Sequence, residues 1–192
     1  MVTVSTSKSY HHGDLRAALL DAGLKALDST AIEDISLRQI ARDVGVSATA
    51  VYRHFPDKRA LLSAMADAGI ERLAEEQQRA ARAAGDADAF AATGRAYVRF
   101  ALAHPALFRL IFAYTCPAGE TVFGNSMAAR MLQDFSARYT ASEEDARQLV
   151  IQAWAVVHGL AMLMLDGQLP ADDTMIDRVI DPQRLFNLPA RS

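Results

Sequence analysis

A single cysteine, Cys116, among 192 residues leaves no partner for an intrachain disulfide, so nothing in the chain asks for an oxidising compartment. Tryptophan is equally scarce, with Trp154 alone, and aromatic residues make up only 7%. Neither sign of charge dominates: a net charge of −3 does not by itself advertise a polyanion or a lipid surface. The longest nearly apolar run, Leu149 to Leu165, is interrupted by Gln152, His158 and Gly159. It falls short of the roughly 20 residues that span a bilayer and reads as a buried helix. The opening "MVTVSTSKSYHHGDLR" lacks the apolar stretch of a secretory signal. These absences imply a cytoplasmic protein with no membrane partner.

Catalytic signatures are missing too. There is no nucleophile motif, no phosphate-binding glycine loop and no HExxH pair. Cys116, His104 and His158 fit no metal-ligand spacing, and His11 and His12 read as side chains at a helix entry. No catalytic residue, metal or cofactor is assigned, and the chain does not read as an enzyme.

What is present is a helical chain rich enough in apolar residues, at 51%, to bury a real core. Leu15, Leu19, Ala22, Ala26 and Leu27 mark one face of a helix from about His12 to Asp28. "STAIEDI" reads as a loop. A second helix begins at Ser36, where Gln39 at the third position predicts a capping box, and Gly45 ends it in a left-handed turn. Ser47 caps a third helix, Pro56 closes it, and Asp57 caps a long fourth helix to about Ala84. After "GDAD" the periodicity predicts helices over 89–104, 105–113, 120–139, 143–166 and 173–186, the last softened by Pro182. No strand pattern or repeat is found. The class expected is all-α, with a helix-turn-helix domain over residues 1–60, a connecting helix over 57–84 and a second helical domain over 85–192.

The stretch "GVSATAVYRHFPDK" carries the most chemistry. Two short helices joined by a glycine-containing turn make a helix-turn-helix, whose second helix is anchored by a few apolar contacts and offers its other face to a DNA major groove. Ile40, Ala41, Val44, Val46, Val51 and Phe55 are the anchors. Ala48, Thr49, Tyr52, Arg53 and His54 remain for the open face, with groups suited to base edges and phosphates. Charge agrees, since Arg38, Arg42, Arg53, Lys58 and Arg59 outnumber Asp43 and Asp57 over residues 36–59, whereas acids outnumber bases from Leu61 onward. An ordinary helical hairpin with a solvated polar face would share the spacing.

"ISLRQIARDVGVSATAVYRHFPDKRALLSAMA" resembles the N-terminal DNA-binding domain of the TetR family of transcriptional regulators, with Gly45, Tyr52, His54, Phe55 and Lys58 in register over about residues 11 to 75. The resemblance implies DNA contacts from Ser36, Leu37 and Arg38 on the second helix and from Ala48, Thr49, Tyr52, Arg53 and His54 on the third. Lys58 would hold a phosphate at the start of the fourth helix. Many members carry a glycine between the first two helices, where this chain has Ser29, Thr30 and Ala31.

"HPALFRLIF" and "AWAVVHGLAMLML" are similar to a TetR-type C-terminal domain marked by Trp154, His158 and Gly159, which implies an all-helical ligand-binding and dimerisation half. Independently, Ile151, Trp154, His158, Met162 and Leu165 line one face of their helix and Val150, Ala153, Val157, Ala161 and Met164 another. Two apolar faces call for the domain's own core and a second copy of the chain, through helices about 143–166 and 173–186. The candidate ligand-binding residues are Tyr97, Phe108, Phe112, Met127, Met131, Trp154, His158 and Met162. That stripe is either solid core or a cavity for an apolar or aromatic effector. Arg95, Arg99 and Arg109 read as surface residues. The expected partners are operator DNA as a palindrome, a small-molecule effector and a second copy of the chain. The alternative is a helical small-molecule binding or interaction protein without DNA binding.

Overall fold

The computed structural model describes residues 15–114, 127–138 and 140–186. They form nine α-helices and one 3-10 turn, with no strand among them. Two compact units divide the chain between Met65 and Ala66.

The first unit holds α1 (Leu15–Ala26), the 3-10 turn Ile32–Asp34, α2 (Leu37–Val44), α3 (Ala48–Tyr52) and the opening of α4 (Lys58–Ala103). The expected start of α1 at His12 lies outside the described residues. Leu19, Ile40, Val51, Phe55, Leu61 and Leu62 are almost completely buried and make the core, while the Arg16 guanidinium lies 5.3 Å from the Phe55 ring centroid. Gly45 ends α2 at φ 78°, ψ 33°, which lets the Val46 N–H return to the Ala41 carbonyl at 2.9 Å. Ser47 Oγ accepts from the Ala50 N–H at 3.2 Å, and Asp57 Oδ1 from the Ala60 N–H at 2.7 Å.

The capping box at Ser36 does not form. Ser36 sits at the N-cap in extended conformation, yet its hydroxyl makes no cap bond. Gln39, which would have to reach back, instead donates to Asp43 Oδ1 at 2.7 Å and accepts from Arg42. Neighbours one turn along the helix compete successfully for its amide.

In the second unit, α4 is interrupted at Gly85, whose φ of 71° and ψ of 172° are not helical. Gln77 Nε2 donates to the Thr93 carbonyl at 3.3 Å. Sixteen residues of unbroken helix would separate these groups by roughly 24 Å, so the chain reverses at Gly85 and, within this unit, the arms 66–84 and 86–103 pack side by side. Then follow α5 (Pro105–Tyr114), α6 (Met127–Ala137) and α7 (Glu143–Leu165). Ser142 caps α7 through the Asp145 N–H at 3.1 Å, and Glu143, Glu144 and Asp145 place negative charge at its positive end.

The single helix expected over 173–186 is two, α8 (Asp173–Val179) and α9 (Pro182–Phe186). Proline has no N–H to continue a helix but suits a first turn. Asp181 Oδ1 completes the new start by accepting from the N–H groups of Gln183 and Arg184.

At Gly45 a Cβ would meet nothing within 4 Å, so only backbone strain opposes a side chain there. Gly45→Ala is expected to destabilise the protein by about 1–2 kcal/mol, and Gly45→Asn by less, because asparagine tolerates the left-handed region. Urea unfolding measures both; an alanine variant as stable as the wild type would contradict this account.

Candidate nucleic-acid interface and interior cavity

In the first unit, Val51 and Phe55 turn inward and fix α3, whereas Ala48, Thr49, Tyr52, Arg53 and His54 are exposed, Tyr52 by 45%. Ser36, Arg38, Tyr52 and Lys58 line one open groove beside Asp57 and Pro56. Of the residues expected to touch DNA, Ser36, Leu37, Arg38, Tyr52 and Lys58 come together in this groove, whereas Ala48, Thr49, Arg53 and His54 are exposed but do not line it. Leu37 is the exception in kind: its side chain is 7% exposed and belongs to the core, leaving only its backbone for a partner. Because Ser36 does not cap α2, the first N–H groups of that helix keep their capacity to bind an anion. Lys58 Nζ donates to the Glu33 carbonyl in the 3-10 turn, a tether that ties the α1–α2 connection to the start of α4. No sequence spacing announces that bond, since its acceptor is a main-chain oxygen 25 residues away.

The second unit contains a cavity of about 80 Å³. Ile70, Leu73 and Gln77 from the first arm of α4 face Phe90, Thr93, Gly94 and Tyr97 from the second. Phe112 of α5, Trp154 and Val157 of α7, and Ile180 and Phe186 close the remaining sides. Of the sequence-derived ligand residues, Tyr97, Phe112 and Trp154 line this space. Phe108 is fully buried behind them, His158 stacks on it at 5.7 Å between centroids, and Met162 is half-buried further along α7. The side chains of Met127 and Met131, on α6, lie outside the described residues, as does Cys116.

Three polar groups tie this aromatic cluster together. An indole N–H can only donate, so Trp154 Nε1 gives its hydrogen to Tyr97 Oη at 3.3 Å. Tyr97 Oη and His158 Nδ1 share a further hydrogen bond at 2.9 Å, in which a neutral imidazole carrying its proton on Nε2 accepts the phenol hydrogen. Burial favours that state, since it lowers the His158 pKa. Burial likewise raises the Tyr97 pKa, only partly offset by the Trp154 hydrogen bond, so the phenol stays protonated.

Two features escaped sequence reasoning. Arg95 and Arg99 are clasps: Arg99 bonds Asp173 at 2.7 Å and Asp177 at 2.9 Å, and Arg95 bonds Asp88 at 2.8 Å and the Ile180 carbonyl at 3.2 Å. The Asp173 hydrogen bond is the chief cause of a raised Arg99 pKa. Most of these partners lie over 70 residues distant, beyond any local pattern. Gln77 was the other omission, although its signal was available, since a polar residue continues the inward spacing of Ile70 and Leu73.

A short helix anchored inside and polar outside, following a glycine turn beside a groove with Lys58 and Arg38, defines a helix-turn-helix protein. Residues 19–65 match a family model described as bacterial regulatory proteins, tetR family. Residues 90–183 match one described as Tetracyclin repressor-like, C-terminal domain. Over 71 residues the chain is 35% identical to the tetracycline repressor protein class D of Escherichia coli, covering 37% of this chain but 31% of that one. A protein of unknown function from Rhodococcus sp. RHA1 is 34% identical over 91% of this chain and 93% of its own, with a TM-score of 0.71. A tetR-family transcriptional regulator from Streptomyces coelicolor shares the fold at a TM-score of 0.66 and 16% identity, over 89% of this chain and 79% of that one. The chain belongs to the TetR family, whose members are non-enzymatic, DNA-binding transcriptional regulators.

The lowered His158 pKa carries a consequence for stability. Protons bind the unfolded histidine first as pH falls below about 6.5, so its contribution is complete above that value and is lost as pH falls through the lower folded pKa. The thermal midpoint is expected to drop between about pH 7 and 5, and His158→Phe should flatten part of that slope. Identical pH profiles for wild type and variant would exclude this role for His158.

Proposed function

We propose that the protein is a cytoplasmic repressor that binds a palindromic operator as a dimer and is released by an uncharged apolar or aromatic molecule held in the second unit. The observation that carries the DNA reading is the pairing of an outward α3 with the groove that Ser36, Arg38, Tyr52 and Lys58 line. In that groove Lys58 and the uncapped start of α2 suit a phosphate; Arg38 in the groove and Arg53 just after α3 have the donors to read guanine edges. A binding protein without DNA would have no use for this concentration of bases on a chain of net negative charge. An effector lowers operator affinity only as far as it binds the released form better than the bound one.

Support for the dimer comes from α7. Ile151 and Leu163 are 60% and 46% exposed, and with Ala155 and Gly159 they form a stripe at four-residue spacing. A Cβ added to Gly159 would meet nothing within 4 Å, so the middle of that stripe is flat and open to a second helix. By length and composition α7 could cross a membrane; membership of a DNA-binding family favours a second copy as its cover. Sequence alone left both faces of this helix available, but Val150, Ala153, Ala161 and Met164 are buried within the unit and Val157 lines the cavity. The outward stripe of Ile151, Ala155, Gly159 and Leu163 is therefore neither of the two expected faces, since Trp154 of the first lines the cavity and His158 packs in the aromatic cluster.

Two experiments test this reading. In the first, salt-dependent titrations of operator DNA selected from a random pool are expected to show that Lys58→Ala weakens all sequences alike and lowers the salt slope by about one. Arg38→Ala and Arg53→Ala should instead cost roughly 1–3 kcal/mol and relax preference at single positions. Thermal melts control for loss of the Lys58 tether, and failure of the wild type to retain any DNA would refute the proposal. In the second, light scattering is expected to find dimers for the wild type and monomers for Ile151→Glu. A monomeric wild type at micromolar concentration would remove the dimer.

A further inference from the structure

The cavity wall is apolar and aromatic with few polar interruptions, and one of those is incompletely satisfied. Gln77 is 7% exposed, and its Nε2 donates to the Thr93 carbonyl at 3.3 Å. That bond fixes the orientation of the amide, because the reversed arrangement would set two oxygens against each other. Oε1 must then point away from Thr93, and it has no hydrogen-bond partner. Buried acceptors in this state carry an unrecovered desolvation cost until a donor reaches them.

The other polar side chains at the wall each have a hydrogen-bond partner already. The Thr93 hydroxyl donates to the Ala89 carbonyl at 2.8 Å. Tyr97 Oη accepts from Trp154 and shares a second hydrogen bond with His158 Nδ1. No charged side chain lines the cavity among the described residues, so an ionised ligand would enter without a counter-charge and lose its hydration. The space therefore asks for an uncharged molecule with an apolar body and a hydrogen to give.

We infer that Gln77 is the specificity determinant of this cavity, selecting neutral apolar or aromatic ligands that carry a hydroxyl or amide N–H and place that donor on Gln77 Oε1. The inference rests on the reading of the cavity as the effector site and adds the chemical class of the effector. It also assigns different tasks to the polar residues. Tyr97, Trp154 and His158 bond one another and shape the aromatic wall, while the side chain that reads the ligand comes from the first arm of α4.

Trp154 is the sole tryptophan and lines the cavity, so its fluorescence excited at 295 nm reports occupancy directly; that wavelength is a choice of probe in which alkylphenols absorb weakly, roughly at the red edge of the indole band. Three matched probes are titrated into the full chain: 4-butylphenol, 4-butylanisole and 4-butylbenzoate. The phenol is expected to bind about tenfold more tightly than the methyl ether, the value of one well-made buried hydrogen bond, and the benzoate anion more weakly than either. In Gln77→Leu the preference for phenol over ether should collapse to near unity, with affinity for the ether retained. Gln77→Met serves the same purpose if the leucine variant does not fold, as judged by thermal melting. Equal binding of phenol and ether by the wild type would overturn the inference while leaving the cavity reading intact. A phenol preference that survives in the Gln77 variants would do the same, by assigning the donor to another acceptor. If none of the three probes perturbs Trp154, the effector-site reading fails and the inference fails with it.

Discussion

The obligation of Trp154 to donate organises the second unit. Its N–H cannot accept a hydrogen bond and cannot be buried without an acceptor at acceptable cost, so Tyr97 must turn its oxygen towards α7. Tyr97 Oη also shares a hydrogen bond with His158 Nδ1, and a neutral imidazole protonated on Nε2 can take the phenol hydrogen. This chain of bonds joins the second arm of α4 to α7 through polar contacts inside an aromatic cluster, where Phe108 and Phe112 meet at 4.9 Å and Trp154 stacks on His158 at 5.1 Å. Position along the chain decides none of this; Tyr97 and His158 are 61 residues apart.

The first unit depends on simpler means. A single left-handed glycine turns the chain, and Val51 and Phe55 hold a five-residue helix that could not persist alone. That economy explains why its outer face is free for polar side chains. All the stabilising contacts come from one edge, and the opposite edge has no structural duty.

Much of this was legible in the sequence because it is local. Caps at Ser47 and Asp57, the stop at Gly45 and the break near Gly85 depend on residues within a few positions of each other, and they fall where their chemistry puts them. The capping box at Ser36 misled because Gln39 had competing partners equally close, and a motif cannot rank its own competitors. Pro182 was visible as a weakness, but whether it bends or splits a helix depends on Asp181 being ready to cap the next one. The cavity was half legible. Its aromatic residues showed in the helical stripes, but which of them face space and which support others depends on the fold-back at Gly85. Sequence grouped Tyr97, Trp154 and His158 as equivalent ligand contacts; the hydrogen bonds among them give each a different task.

The arginine clasp introduces a matter of timing. Ile180, Pro182 and Phe186 form one side of the cavity, and Arg95 and Arg99 fasten that side through pairs that are largely solvent-accessible, with Asp173 showing 75% of its side chain and Arg99 44%. Such pairs are individually weak and reversible, in contrast with the packed aromatic wall opposite. A molecule that fits the cavity need not wait for the helical core to loosen. On the proposed effector-site reading, exchange of such a molecule is expected to be gated by how often a few exposed ion pairs break together, and its rate to answer to the ionic strength around the protein.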